Sequence, residues 1–448
     1  MNRRRRVVVL DVVGLTRHHF DEPAFCPNLA RLREQGLLAA MAPCFPAVTL
    51  PVQATLTTGL YPGQHGVVAN GFFFRSDFRV AFWEQAASLV AGDRLWQRLR
   101  HPLPDLKTAL LFMQNSLFSG TEVILTPRPL HTDDGLIPWC HSMPVGLYDQ
   151  LAADLGPFPL QHYWGPLAGI ASSQWISRAA AATIHRFQPD LTMVYLPHLD
   201  YACQRLGPGH PAIREELAQV DAAVGGIVAA VQEAGLAGET VFVVLAEYAF
   251  SEVAGAVFPN RILREHGLLA VRTIAGREYL DLENSRAWAM VDHQVAHLFV
   301  QRGAEGQARA ALERTPGIDL VLDRIGKQAW HLDHPRAGEL VAVANRDRWL
   351  AYPWWEDPAR APDFAGRVDI HRKPGYDPCE LFFDPETRAV SQDTGLVRGS
   401  HGYPPLSERD QLPFLVAGAL EDGAQLPERL PLVAVAGVLE RLLLTGRP

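Results

Sequence analysis

Aliphatic and β-branched runs recur along the chain, separated by polar or glycine-rich stretches and by segments with apolar residues every three or four positions. The first run, RVVVLDVVGL, is apolar at successive positions, as a strand buried on both faces requires. PNLARLREQG reads as a helix ended by Gly36. Further strands are expected at LKTALLFM, LTMVYL and TVFVVLAEY. The last two follow long helical segments, SSQWISRAAAATIHRF and IREELAQVDAAVGGIVAAVQEAG. Helix–strand alternation of this kind predicts an α/β fold: a mostly parallel central sheet covered by helices on both faces. The stretch PCFPAVTLPVQATLTTGLYPGQHG, rich in Pro, Thr and Gly, reads as a loop.

Two regions break the alternation. Residues 119–161 hold clustered prolines, Trp139, Asp133 and Asp134, and are expected to form a lid insertion over the sheet edge. Residues 260–384 read as a second inserted region of α+β type, with a helix at GQARAALERT and a hairpin pair at GELVAVANRDRWLAY. AMVDHQVAHLFV is open between helix and strand. No boundary has a linker's composition, so residues 1–448 are expected to be a single domain with insertions.

Composition narrows the class. Hydrophobic residues make up 48% and charged residues 20%, which excludes a disordered chain. Lysine and arginine number 41 against 49 acids, for a net charge of −8, so no basic footprint for nucleic acid or an anionic membrane exists. Five widely spaced cysteines with no CxxC pair argue against a disulfide framework. The start MNRRRR is basic, but its apolar run is only Val7 to Leu10 before Asp11, too short for a signal peptide's core. A soluble, cytoplasmic protein is expected.

Three acids end apolar runs: Asp11, Asp200 and Glu247. In an open α/β sheet such positions fall at the carboxyl edge, where functional groups collect. Each alone has the alternative of a helix cap. Together they would repel unless protonated or neutralised, which points to a cation site. Thr49 lies between the first two in sequence. A hydroxyl beside a divalent cation becomes a usable nucleophile near neutral pH. Asn70 could donate to a developing negative oxygen; the alternative is that these threonines are turn and cap hydroxyls.

The arrangement resembles the alkaline phosphatase superfamily, and within it the nucleotide pyrophosphatase/phosphodiesterase branch. The matching pieces run in that branch's order: VVVLDVVGL, FPAVTLPVQATLTTGLYPGQHGVVANGFF, VYLPHLDYACQRLGPG, VVLAEYAF and RGSHGYPP. The resemblance implies a three-layer core with a cap insertion, two metal ions, Thr49 as nucleophile and Asn70 as a phosphate-contacting amide. It implies Asp11, Thr49 and Glu247 as ligands of one ion, and Asp200, Gln204 and His401 as ligands of the other. The chain departs from the pattern at two imidazoles. Ala246-Glu247-Tyr248-Ala249 stands where the family has Ser-Asp-His-Gly, and Gln204 stands where it has a histidine four residues after the aspartate. With carboxylate and amide oxygens in place of imidazoles, zinc affinity is expected to weaken in favour of Mn or Mg, or only one site is expected to fill.

Other clusters are candidates beside these. Asp292, His293 and His297 offer a further metal-binding pattern, with a structural histidine as the alternative. VDIHRKPGYDP, with Asp369, His371 and Asp377, reads as a solvated loop, with Arg372 or Lys373 meeting a phosphate as the alternative. His65 reads as a packing or hydrogen-bonding group. Tyr163 and Trp164 could stack on a ring-shaped substrate group. The expected activity is metal-dependent phosphoryl transfer, a phosphodiesterase or nucleotide pyrophosphatase acting on a small phosphorylated or nucleotide-like substrate. The alternatives are a phosphomonoesterase and a non-catalytic binding member of the same fold.

Overall fold

Apolar runs flanked by polar turns select the strands of the main sheet. The computed structural model describes residues 5–448 apart from residue 134, so Met1–Arg4 of the basic start and Asp134 of the expected lid lie outside the described residues. Along the chain the main sheet takes β1 (Arg6–Val12), β2 (Gly36–Ala42), β3 (Thr108–Leu111), β4 (Val123–Pro127), β5 (Cys140–Met143), β6 (Leu191–Leu196) and β7 (Thr240–Leu245). A second sheet follows with β8 (Ala287–Asp292), β9 (Val295–Val300), β10 (Ile318–Leu322) and β11 (Leu340–Ala344). The chain then returns to the main sheet as β12 (Leu412–Gly418) and β13 (Arg429–Pro431). The order of the nine-stranded sheet is β13-β2-β12-β7-β1-β6-β3-β4-β5.

The strands β7, β1, β6, β3 and β4 run parallel, and β12 is antiparallel to both of its neighbours. Asp11 pairs with Tyr195 on one side and Leu245 on the other, so the carboxyl ends of three adjacent central strands open at one level. The main helices are α1 (Pro27–Glu34), α2 (Thr49–Thr58), α3 (Ile170–Phe187), α4 (His198–Leu206), α5 (Ile213–Glu233) and α6 (Val435–Thr445). Helices α1, α3 and α5 pack together, while α2 and α6 form a separate pair, giving the three-layer arrangement.

Four sequence expectations change. The Thr49 segment is a helix, not a loop: Pro51 falls in its first turn, where a missing N–H costs no intrahelical bond. Of residues 119–161, β4 and β5 join the sheet and 147–155 are helical, so only the hairpin of 130–132 and 135–137 projects. GELVAVANRDRWLAY is no hairpin: Leu340–Ala344 pairs within the second sheet, whereas Trp349–Leu350 pairs with Ala256–Val257. AMVDHQVAHLFV is a strand pair, β8 and β9, turning at His293 and Gln294. His293 has φ of 60°, which the first central residue of such a tight turn requires. The five cysteines are buried and unbridged. Among the described residues no helix is long and apolar enough to cross a membrane.

Candidate functional site

The carboxyl ends of β1, β6 and β7 bring Asp11, Asp200 and Glu247 together, although they are far apart in sequence. Asp11 lies within β1, Glu247 two residues beyond β7, and Asp200 in the first turn of α4. Thr49 is the first residue of α2, and the threonine, the three acids and His401 are all buried. His401 arrives from the distant C-terminal part through a close approach. A Cβ on Gly399 would lie 2.1 Å from the carbonyl oxygen of Cys203, so only glycine lets that segment lie against α4.

Thr49 sits at the centre of the network. Its Oγ1 is 3.3 Å from the hydroxyl of Tyr248, which donates to Asp200 Oδ1 at 3.1 Å. Asp200 Oδ2 accepts from Gln204 Nε2 at 2.6 Å, and Gln204 Oε1 accepts from the Tyr376 hydroxyl at 2.9 Å. The amide oxygen of Gln204, expected to face a cation, is therefore turned to Tyr376. The Tyr248 ring stacks on His401 with centroids 3.4 Å apart and planes 4° apart. His401 Nδ1 donates to the carbonyl of Ala47 at 2.9 Å, which leaves Nε2 as a lone pair, buried and without a partner, 3.7 Å from Asp200 Oδ1.

On the other side of Thr49, Gln53 Nε2 donates to Glu247 Oε1 at 2.7 Å and reaches Asp11 Oδ2 at 3.4 Å. Burial pushes Asp11 up to about 7, with a hydrogen bond to Glu247 acting against the rise. Burial and then the charge of Asp11 push Glu247 well up, with Gln53 and Thr49 pulling it down. The two carboxyls are thus arranged to hold a proton between them. Burial likewise raises Asp200 to about 7 against the donors Tyr248 and Gln204. Burial lowers His401 to about 3.

Asn70 does not face the cavity described next. Its Oδ1 accepts from the backbone N–H of Leu50 at 2.9 Å, while its own N–H and Nδ2 donate to Asp292 at 2.8 and 3.1 Å. It ties the first turn of α2 to the second sheet. Burial raises Asp292 from 3.8 to about 7, against both Asn70 donors. The folded state keeps this proton up to about pH 7, whereas the unfolded chain releases it at about pH 4. Between those limits the native state binds more protons, so the stability contributed here falls as pH rises. An Asp292→Asn variant is expected to be less stable than the parent at about pH 4 and to gain on it until about pH 7, read as a difference in Tm. A gap that does not vary with pH would rule this out. Buried histidines such as His65 and His401 titrate in the opposite sense, so only the comparison with the variant isolates Asp292.

In front of this network opens a cavity of about 450 Å³, within the range of small-molecule sites. Thr49, Asp200, Tyr248 and His293 line its polar end. Trp83, Phe118, Tyr163, Trp164 and Tyr376 line its aromatic walls, and Arg128 and His371 add basic side chains. Asp11, Gln204, Glu247 and His401 lie behind this wall. His293 stacks on Tyr376 and lies against His401, with centroids 3.7 and 3.6 Å away. His297 is turned away: its Nε2 donates to the carbonyl of Val68 and its Nδ1 accepts from the N–H of Gly338. His65 is likewise a hydrogen-bonding group, paired with Thr55 Oγ1 and the N–H of Val67.

Sequence reasoning passed over Gln53, Gln114, Trp83 and Tyr376. For Gln53 a signal existed: it lies four residues after Thr49, one helical turn along the same face, once the segment is read as helix. The segment 368–378 also differs from the solvated loop expected. Lys373 is buried, with Nζ 2.7 Å from Asp377 and from Glu380, so the segment is an anchored strap and not a solvated loop. Arg372 pairs at the surface with Asp363 and Asp369.

A family model described as type I phosphodiesterase / nucleotide pyrophosphatase matches residues 7–377. An uncharacterized pyrophosphatase/phosphodiesterase of Schizosaccharomyces pombe is 19% identical over 427 residues, covering 92% of this chain and 71% of that protein. Murine ectonucleotide pyrophosphatase/phosphodiesterase 5 superposes with a TM-score of 0.63 at 15% identity, over 99% of this chain and 96% of the murine one. Phosphonoacetate hydrolase of Sinorhizobium meliloti 1021, solved with phosphonoformate, gives 0.64 at 15% identity, over 98% and 96%. At these identities the solved structures show the fold, an alkaline phosphatase-like one. The family match extends over Asp11, Asp200 and Glu247 and over the Thr49 helix. The chain belongs to the type I phosphodiesterase / nucleotide pyrophosphatase family, whose members hydrolyse phosphoester or anhydride bonds.

Proposed function

We propose that the protein cleaves phosphodiesters or nucleotide pyrophosphates with Thr49 as nucleophile. One observation carries this reading: the Thr49 hydroxyl lines the cavity at the N-terminus of a ten-residue helix, with the Tyr248 hydroxyl, itself bonded to Asp200, beside it. The positive end of α2 favours an anionic phosphoryl group in front of it. Thr49 Oγ1 attacks phosphorus as the bond to the leaving oxygen breaks, and the hydroxyl proton passes to the Tyr248 oxygen as Tyr248 gives its own proton to Asp200. Water then cleaves the threonyl ester. The aromatic walls at Trp83, Tyr163 and Trp164 suit a planar group on the substrate. The structural relatives fit this class: the murine protein was solved as an inactive variant with AMP, the bacterial hydrolase with phosphonoformate.

Members of the family generally use divalent metals. Among the described residues no three His, Cys, Asp or Glu side chains converge as a metal cage. The donor set does fit an ion: Asp11 Oδ1, Glu247 Oε2 and His401 Nε2 are buried without a hydrogen-bond partner, so these side chains, with Asp200, would hold a cation. When bound there, an ion would supply Lewis-acid stabilisation of phosphoryl charge. One nitrogen among oxygen donors suits Mn or Mg as well as Zn.

A second reading, a non-catalytic binder, has its own observation: Tyr248, Gln204 and Gln53 already donate to the acids. Turnover of bis-para-nitrophenyl phosphate, para-nitrophenyl phosphate and a nucleotide-sugar separates the readings. Cleavage of the diester and the nucleotide-sugar above the monoester is expected. Preference for the monoester would make the protein a phosphomonoesterase, and no turnover with any of the three, with Mn, Mg or Zn supplied, would favour the binder.

A further inference from the structure

We propose that His293 is a further catalytic residue, donating a ring N–H to a non-bridging oxygen of the phosphoryl group in front of Thr49. The inference rests on reading this cavity as the phosphoryl site, and it deepens that reading by naming a donor that holds the group there.

Donors for a phosphoryl oxygen are scarce at the polar end of the cavity. Of the first three residues of α2, Leu50 gives its N–H to Asn70 Oδ1 at 2.9 Å and Pro51 has none to give. The Asn70 amide, expected to contact phosphate, gives Nδ2 to Asp292 Oδ1 at 3.1 Å and does not line the cavity. Of the four groups at the polar end, Thr49 is the nucleophile, and Asp200 only accepts once ionised. The Tyr248 hydroxyl is already donated to Asp200 Oδ1 at 3.1 Å. His293 is the fourth.

The His293 ring is held with its nitrogens free. Tyr376 lies against it with centroids 3.7 Å apart, and His401 with centroids 3.6 Å apart. Rings this close on two sides leave its edge for the cavity, and the edge carries the nitrogens. Neither nitrogen has a hydrogen-bond partner among the described residues: Asp292 Oδ1 is 3.9 Å from Nε2, beyond hydrogen-bond reach. Unlike His401 Nε2, neither is sealed from solvent. Whichever nitrogen carries the proton, the ring has an N–H to offer. The turn beneath it is tied down from several directions. The His293 carbonyl accepts from the N–H of Leu350 at 2.8 Å, and the N–H of Gln294 donates to the carbonyl of His401 at 3.0 Å. Gln294 Nε2 donates to the carbonyls of Arg346 and Arg348 at 2.9 and 3.0 Å. The φ of 60° favours glycine, yet an imidazole stands there, as strained backbone at a functional site would have it.

The test reads orthovanadate binding by calorimetry on the full chain with Mn²⁺ supplied, beside turnover of bis-para-nitrophenyl phosphate. His293→Phe keeps a ring between Tyr376 and His401 and removes the N–H. It is expected to bind vanadate at least about tenfold more weakly and to lower kcat about 10²-fold, with KM within about threefold of the parent. A ring that only filled space would be replaced by phenyl without either loss. If that variant does not melt as a folded protein, His293→Gly, which suits the positive φ, is measured instead with the same expectation. A loss of less than about tenfold in vanadate affinity, or in the kcat of an active parent, would overturn the proposal. So would a parent that binds no vanadate. So would a variant that holds less metal than the parent by elemental analysis, because the effect would then run through the ion beside His401. A parent that turns nothing over, or does so without Thr49, and whose vanadate affinity still falls with His293→Phe would count against the Thr49 reading and leave this one standing.

Discussion

Replacing Thr49 by alanine is expected to lower kcat by at least about 10³-fold while leaving the fold and its melting temperature nearly unchanged. The size of the loss follows from the role: a nucleophile has no neighbour that can take its place, and binding alone retains only the residual acceleration. The neutrality of the fold follows from the local structure. Val48 is the N-cap residue of α2 and makes no side-chain cap bond, so the Thr49 hydroxyl does not cap the helix. Tyr248 loses a 3.3 Å neighbour and keeps its 3.1 Å bond to Asp200. KM is expected to change little, because the aromatic walls and the basic groups Arg128 and His371 are untouched. A variant that retains more than about a tenth of parent turnover would remove Thr49 from the chemistry.

Lys373→Met is expected to give the largest loss of stability, about 3–5 kcal/mol by denaturant unfolding. Lys373 is 1% exposed, and its ammonium touches Asp377, Glu380 and the carbonyl of Arg367 at 2.7, 2.7 and 2.9 Å. Methionine fills the space and removes the charge, leaving two acids buried without a cation between them. The effect reaches the site as well. The strap that Lys373 anchors presents Ile370, His371 and Tyr376 to the cavity, and Glu380 accepts from the indole of Trp164. A rise in KM larger than the fall in kcat is therefore expected. A loss below about 1 kcal/mol would mean that the cluster is solvated and the strap held by other contacts.

How much of this was legible in the sequence depends on the range of the interactions. The strands β1, β6 and β7 were readable because burial on both faces demands uninterrupted apolar residues, and the acids stood out because they end those runs. Helix α2 was not, because Pro51 and four threonines in ten residues read as loop, while burial of every residue overrides propensity. The strand β12 begins beside Pro413, and its place between β2 and β7 depends on pairing with residues far off in the chain. The strap failed for the same reason. A lysine between Arg372 and Pro374 looks solvated until Asp377, Glu380 and the Arg367 carbonyl close around it. Gln204 and Tyr248 were recognised as departures from the two-metal pattern. That they would turn hydrogens toward Asp200, and that Gln53 would do the same toward Glu247, depended on Tyr376 and Gln114, which are not neighbours in sequence.

The claim on which the rest stands is that a covalent bond forms at one oxygen. The protein mixed with bis-para-nitrophenyl phosphate and quenched in acid during turnover should yield, on digestion and mass spectrometry, the peptide containing Thr49 bearing a nitrophenyl phosphoryl group, absent from Thr49→Ala. Sustained release of nitrophenol by the parent with no label on Thr49, or with label on another residue, would contradict it.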